Sequence, residues 1–131
     1  MVYLETIPNF LLFFGACLAY AAVFLAIYTR VTPWNELALI RAGNNAAAIS
    51  LSGAGLGFAI PLASATVQSL NIADMAVWSA IALVIQLGVY FVARLLKPGL
   101  AADIEAGRTA TAVTYAAFAL GVGLLNAACM T

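Results

Sequence analysis

The sequence has no histidine, two cysteines and few charged residues. Cys17 and Cys129 lie far apart in the chain and neither belongs to a Cys-x-x-Cys motif, so the residues offer no recognisable zinc or redox site. Five Lys and Arg residues cannot form the concentrated basic face that nucleic-acid phosphates require. We therefore expect no metal, no cofactor and no nucleic-acid partner.

Catalytic arrangements are missing as well. We find no nucleophile–base pair, no carboxylate pair suited to acid–base chemistry and no phosphate-binding glycine loop. No long apolar segment carries a charged residue near its centre, which argues against proton-coupled transport through a buried carboxylate relay. The sequence predicts a protein that is not an enzyme.

Apolar residues, by contrast, make up 66% of the chain and charged residues only 8%. With a mean hydropathy of +1.08 the chain has too little polar surface to cover a soluble domain. Four apolar stretches, at about 8–28, 45–70, 75–96 and 109–130, are each long enough to cross a bilayer core of ~30 Å. We predict an all-α polytopic protein with four transmembrane helices in a single membrane domain, 1–131. Thr6 and Asp74 are the predicted helix starts of the first and third spans.

The basic residues all fall in or beside the first and third connections between spans. When the chain is threaded up and down through the bilayer, they come to one side, which the positive-inside rule makes cytoplasmic. Both termini are then predicted to be extracytoplasmic. The residues concerned are Arg30, Arg41, Arg94, Lys97 and Arg108.

A degenerate internal repeat relates the two halves of the chain. Residues 40–60 align with residues 104–124 at a constant offset of 64, and the matches include Gly43 with Gly107 and Gly57 with Gly121. Because each copy would hold two spans, both copies enter the membrane in the same orientation. The sequence predicts two parallel helix-hairpin repeats, about 8–70 and 75–130.

The two basic connections share a pattern that begins with Pro33 or Pro98 and ends with Gly43 or Gly107. Proline in a first turn and glycine at an exit are typical of helices, so each connection is predicted to be a short interfacial helix. Two ordinary polar loops are the alternative.

Charges at equivalent positions of the two connections are swapped. Arg41 aligns with Glu105, and Asn44 aligns with Arg108. This swap suggests an ion pair between Arg41 and Glu105 across the pseudo-axis. We assign Arg41, Glu105 and Arg108 to a cytoplasmic interface.

The second span is unusually rich in small and polar residues, and many of them recur at steps of three and four on one helical stripe. Such a stripe permits close helix packing in lipid, which is the favoured interpretation. A polar path along the second and fourth spans is the alternative. The amides of the third and fourth spans should point into the bundle. The candidate residues for packing or for a polar path are Asn45, Ser50, Gly53, Gly57, Pro61, Ser64, Gln68, Gln86, Gly121 and Asn126.

The order of several segments resembles the YjfL-type family of small bacterial inner-membrane proteins. The resemblance covers nearly the whole chain and implies a multi-pass protein of the bacterial inner membrane, while it brings no activity with it. The segments that carry it are Arg41 to Ala48 with Gly53 and Gly57, Asp74 to Trp78, Gln86, Glu105 to Gly107, and Gly123 to Met130.

Two functions are compatible with this sequence. The favoured one is a structural or interaction subunit that self-associates or binds another membrane protein through its Gly/Ser-rich helix faces. The alternative is an oligomeric channel or transporter for an ion or small solute. The lipid bilayer is an expected partner in both cases.

Overall fold

The computed structural model describes residues 2–130, and this part of the chain is helical without a strand. The helices follow one another through short connections. Their bounds are α1 (Val2–Val31), α2 (Glu36–Arg41), α3 (Asn45–Gln68), α4 (Ile72–Leu96), α5 (Leu100–Glu105) and α6 (Thr109–Ala128).

Four of these helices are long and apolar enough to cross a membrane, which confirms the predicted number of spans. The candidate spans are Thr6–Val31 in α1 and the whole of α3, α4 and α6. α2 and α5 lie between spans, and we call the end of the bundle where they lie the connection end. The basic residues of the chain lie in the last turns of α1, α2 and α4 or at the caps that flank α4 and α6.

Both predicted helix starts are wrong. α1 begins at Val2 and Pro8 lies inside it, because the loss of one main-chain hydrogen bond near a helix end is tolerated in a strongly apolar segment. α4 begins at Ile72, since Asn71 caps it by accepting a hydrogen bond from the Asp74 backbone N–H at 2.9 Å. Asp74 instead reaches back to accept from the Leu70 backbone N–H.

The connections are helical, as predicted, and their interfacial position stays a prediction. Pro33 and Pro98 precede α2 and α5 rather than occupying their first turns. The exits follow the prediction, because Gly43 and Gly107 have φ of +88° and +78°, a left-handed conformation that favours glycine. α2 and α5 begin 64 residues apart, and so do α3 and α6.

α3 is the central helix of the bundle and α6 is its closest neighbour. Half of the most apolar window of α3 is buried, against only 6% of that of α1. α4 packs against both α3 and α6, while α1 lies at the edge and contacts α3 and α4. The bundle is therefore organised around α3, and α1 presents most of its apolar surface outward.

Candidate functional site

The closest helix contact is what we call the α3–α6 seam, formed by Gly53 and Gly57 of α3 with Ala116, Ala119 and Gly123 of α6. A Cβ atom added at Gly57 would lie 2.6 Å from the carbonyl oxygen of Ala119. One added at Gly53 would overlap Ala116, and one added at Gly123 would overlap the backbone of Gly57. The structure places both Gly53 and Gly57 directly against α6 of the same chain.

Gln86 of α4 packs against the seam and contacts both α3 and α6. Its side chain is 2% exposed, as predicted for an amide within a span. The Nε2 atom donates to the carbonyl oxygen of Ala119 at 3.4 Å and lies beside Gly57. α3, α4 and α6 thus meet at one point, and only glycine leaves room there for the amide.

Two hydroxyl groups of the predicted stripe bond to backbone carbonyls. Buried Ser50 donates to Ala47, one turn earlier in α3, at 3.0 Å. Ser64 donates to Ala127 of α6 at 3.1 Å and so joins the far ends of the two helices. Pro61 is buried between these two serines. Ser64 thus bonds α3 to α6, whereas Ser50 bonds within α3.

The remaining candidates of the stripe lie elsewhere. Asn45, Gln68 and Gly121 are exposed, and Asn126 is half-buried. A Cβ atom at Gly121 would meet no heavy atom within 4 Å. The structure therefore brings together Ser50, Gly53, Gly57, Pro61 and Gln86 around the seam, with Ser64 at its end, and leaves the exposed residues outside it.

Asp103 organises the charges at the connection end. Its carboxylate accepts a hydrogen bond from Thr111 at 2.9 Å and forms ion pairs with Lys97 at 3.2 Å and Arg108 at 3.6 Å. The Thr111 hydroxyl and then the Lys97 ammonium hold the pKa of Asp103 below its usual range.

The hypothesised ion pair between Arg41 and Glu105 is not formed within this chain. Where side chains are described, over residues 6–130, both ion pairs use Asp103, and Arg41 and Glu105 are exposed. The short helices place Asp103 on the inner side of α5, where Lys97 and Arg108 flank it. Arg108 therefore belongs to a charge cluster of the second connection.

Asn44 joins the two connections instead. Its Oδ1 atom caps α3 by accepting from the Ala47 backbone N–H at 3.1 Å. Its Nδ2 atom donates to the carbonyl oxygens of Ile104 at 2.9 Å and Glu105 at 3.3 Å. One side chain therefore supplies both the cap of α3 and hydrogen bonds from the start of α3 to the end of α5.

The sequence interpretation missed a buried acid. Glu36, the first residue of α2, is 1% exposed. Its Oε1 atom accepts a hydrogen bond from the Thr32 hydroxyl at 2.6 Å, and its Oε2 atom is buried without a partner among the described residues. Burial raises the pKa of Glu36, although the Thr32 bond and the residue's own backbone N–H act in the opposite direction.

Three tyrosines from the long helices lie near enough to this acid to interact with its charge. The Tyr28 and Tyr115 hydroxyls share a hydrogen bond of 2.7 Å. The Tyr90 ring stands edge-on to the rings of Tyr28 and Trp34, with centroid distances of 6.1 and 5.8 Å. Trp34 is 2% exposed, and its Nε1 atom is also buried without a partner in the described chain. We call Thr32, Glu36, Trp34 and the three tyrosines the Glu36 cluster.

One sequence signal could have located this cluster. Thr32 and Glu36 are four residues apart, the spacing that lets a hydroxyl reach a carboxylate across a turn, and Asn35 between them is a preferred helix cap. Nothing in the sequence brings Tyr115 beside Tyr28, because that contact depends on how α1 and α6 pack.

Comparisons with known proteins agree with this architecture. Residues 1–130 match the family described as Domain of Unknown Function (DUF350). The chain is 41% identical over 128 residues to the UPF0719 inner membrane protein YjfL of Escherichia coli strain K12. The aligned region covers 98% of this chain and 97% of that protein. The protein of the same description from Escherichia coli O157:H7 gives the same identity and coverage. No solved structure gives a significant match.

Proposed function

The chain belongs to the DUF350 family and is a multi-pass inner-membrane protein, and on this premise we propose that it is a structural or interaction subunit. We propose that the outer face of α6 binds a second copy of the chain. The alternative is that the same face binds another membrane protein. The main support for this proposal is that Gly121 is exposed and that a Cβ atom there would meet nothing within 4 Å. The seam glycines, in contrast, already pack against a helix of the same chain.

Gly121 belongs to a stripe of small residues on this face. Ala110, Thr114 and Ala117 precede it at steps of four and three, and all are exposed. The Thr114 hydroxyl already bonds to the Ala110 carbonyl oxygen at 2.9 Å, so it brings no unpaired group to an interface. In lipid, small side chains at this spacing let a second helix approach closely and gain van der Waals contact.

Gly121→Leu tests this proposal. We expect the variant to bind its second copy about tenfold more weakly or worse, because a large side chain would hold the two helices apart. Energy transfer between donor-labelled and acceptor-labelled copies in vesicles measures the association. Native mass spectrometry from lipid nanodiscs gives the number of subunits.

Gly15→Leu is the matched control, because Gly15 is also exposed and unobstructed but lies in α1. It should associate like the parent protein. Equal association of Gly121→Leu and the parent would contradict the α6 interface. A parent protein that stays monomeric, with both variants folded, would favour another membrane protein as the partner.

The channel alternative stays a prediction. A path between α3 and α6 of one subunit would have to pass the seam, where Gly57, Ala119 and Gln86 are in close contact. A conducting path lined by α3 and α6 would therefore have to run on their outer faces, between subunits.

We also propose that the chain is built as two parallel hairpin repeats with both termini outside the cytoplasm. The equal offsets of the short and long helices and the two left-handed glycines at equivalent positions support the repeat. The accumulation of basic residues at the connection end supports the orientation.

Cys129 gives a direct test of this orientation. It is exposed at the end of α6 opposite the connections. In a Cys17→Ser background, a membrane-impermeant maleimide added to right-side-out spheroplasts should label Cys129 without permeabilisation. Ala42→Cys in a background lacking both natural cysteines should be labelled only after permeabilisation. The reversed pattern would place the termini in the cytoplasm.

A further inference from the structure

Glu36 is a carboxyl group in an environment that suits a neutral side chain. Thr32 satisfies one of its oxygens, and the other is buried without a partner in the described chain. No cation lies within ion-pair distance of it among the described side chains, 6–130, where both ion pairs use Asp103. A buried carboxylate without a countercharge is strongly unfavourable.

The titratable groups around Glu36 are tyrosines. Tyr28 of α1, Tyr90 of α4 and Tyr115 of α6 are near enough to interact with its charge. The neighbouring cation is Arg94, whose guanidinium lies at the Tyr90 hydroxyl.

α2 and α3 bring no countercharge to the carboxyl group. α3 packs against α2 but contains no titratable side chain. Within α2, Arg41 is exposed at the opposite end. The groups of the long helices that interact with Glu36 are therefore neutral tyrosines, and the Arg94 guanidinium is engaged at the Tyr90 hydroxyl.

The second short helix supports the same interpretation. Leu100 is the first residue of α5, as Glu36 is of α2, and it is 2% exposed. An apolar side chain thus occupies the matching place in the other connection. The first position of these short helices faces the interior of the bundle, where a protonated carboxyl group is far easier to accommodate than an ionised one.

We propose that Glu36 and the hydroxyl groups around it form a proton-binding site, whose occupied state holds α2 against the bundle and whose deprotonation releases it. The proton leaves the carboxyl group for water at the connection end, and the carboxylate then gains hydration that it lacks inside. Trp34 moves with Glu36, because it lies two residues earlier in the same connection and is buried with its ring against Tyr90.

The direction of the pH dependence follows from burial. Because burial raises the pKa of Glu36, the stability contributed by the neutral form is fully present below the ordinary glutamate pKa of about 4.3. It is lost as the pH rises through the raised pKa. The Thr32 hydrogen bond favours the charged form and therefore limits the rise in pKa.

Trp34 is the natural reporter of this transition. The chain has two tryptophans, so Trp78→Phe leaves Trp34 as the single indole. We would record its emission during a pH titration in phosphatidylcholine and phosphatidylglycerol vesicles, with the pH equilibrated on both sides. We expect one transition with its midpoint above about 4.3, at which the emission shifts to the red and acrylamide quenching increases.

Two variants make the assignment specific. Glu36→Gln keeps the shape of the neutral acid, so its emission should stay blue-shifted at every pH. Thr32→Val removes the donor that favours the carboxylate, so its midpoint should lie about one pH unit higher. A side chain with only a structural role would not move the midpoint upward.

Three results would overturn the proposal. They are a transition that persists in Glu36→Gln, the absence of any transition above the ordinary glutamate range in the parent, and a midpoint unchanged by Thr32→Val.

The titration is repeated with Na⁺, K⁺ and N-methylglucamine as the cation. A midpoint that moves with Na⁺ or K⁺ concentration would identify the site as one for a metal cation, whereas identical midpoints support the proton.

Discussion

Gly57→Ala is expected to lower the free energy of unfolding by about 2 to 3 kcal/mol, the upper part of the range of about 1 to 3 kcal/mol for adding a carbon to a fully packed site. The added Cβ would lie 2.6 Å from the Ala119 carbonyl oxygen and 2.9 Å from the Gln86 Nε2 atom. A backbone carbonyl within a helix can move only if α3 and α6 separate. The substitution therefore weakens the packing contacts along the whole seam. Titration with sodium dodecyl sulfate in mixed micelles, followed by circular dichroism, measures the change.

Two further glycine variants test the location of this effect. Gly123→Ala should be as destabilising, because its Cβ would overlap Gly57 from the other side of the seam. Gly88→Ala should leave stability unchanged or slightly raised, since nothing lies within 4 Å of the added atom and alanine is the better helix former. If Gly57→Ala and Gly88→Ala unfold alike, α3 and α6 do not approach each other as closely as described.

Asn44→Ala is expected to cost about 2 kcal/mol, because it removes a helix cap worth about 1 kcal/mol and hydrogen bonds that contribute a similar amount. The cap serves Ala47 of α3, and the other bonds reach Ile104 and Glu105 at the end of α5. The same unfolding titration detects the loss.

Asn44→Asp separates the two roles of this side chain. A carboxylate can still cap α3, but it has no N–H to donate and it would face the carbonyl oxygens of α5. We expect it to lose the contribution of the bond between the connections while α3 keeps its cap. Asn45→Ala is the control, because Asn45 is exposed beside it and should be neutral. Full stability of Asn44→Asp would show that the bond to α5 contributes nothing.

The candidate residues show how far a helical stripe can be interpreted. The spacing of Gly53 and Gly57 predicted close packing, and the burial of Gln86 followed from the cost of an exposed amide in lipid. Neither rule says which helix the stripe meets. Gly121 aligns with Gly57 in the repeat, yet Gly57 lies inside the seam and Gly121 lies outside it.

The sequence by itself determined the class of the protein, the number of its spans and the helical connections with their glycine exits. These features depend on the length and composition of local segments, since about 20 apolar residues in succession suffice to define a span. The same local rules misplaced the starts of α1 and α4 by a few residues. α1 extends on the N-terminal side of Pro8, and Asn71 rather than Asp74 caps α4.

Only the tertiary structure decided that α6 covers the glycines of α3, that Asn44 joins the two connections, and that Glu36 is buried among tyrosines. Each of these contacts joins residues far apart in the chain; the Tyr28 and Tyr115 hydroxyls, 87 residues apart, are one example. Local sequence sets which side chains share a helix face, whereas packing of the helices sets what that face meets. A glutamate in a polar connection becomes a buried acid only when its short helix folds against the bundle.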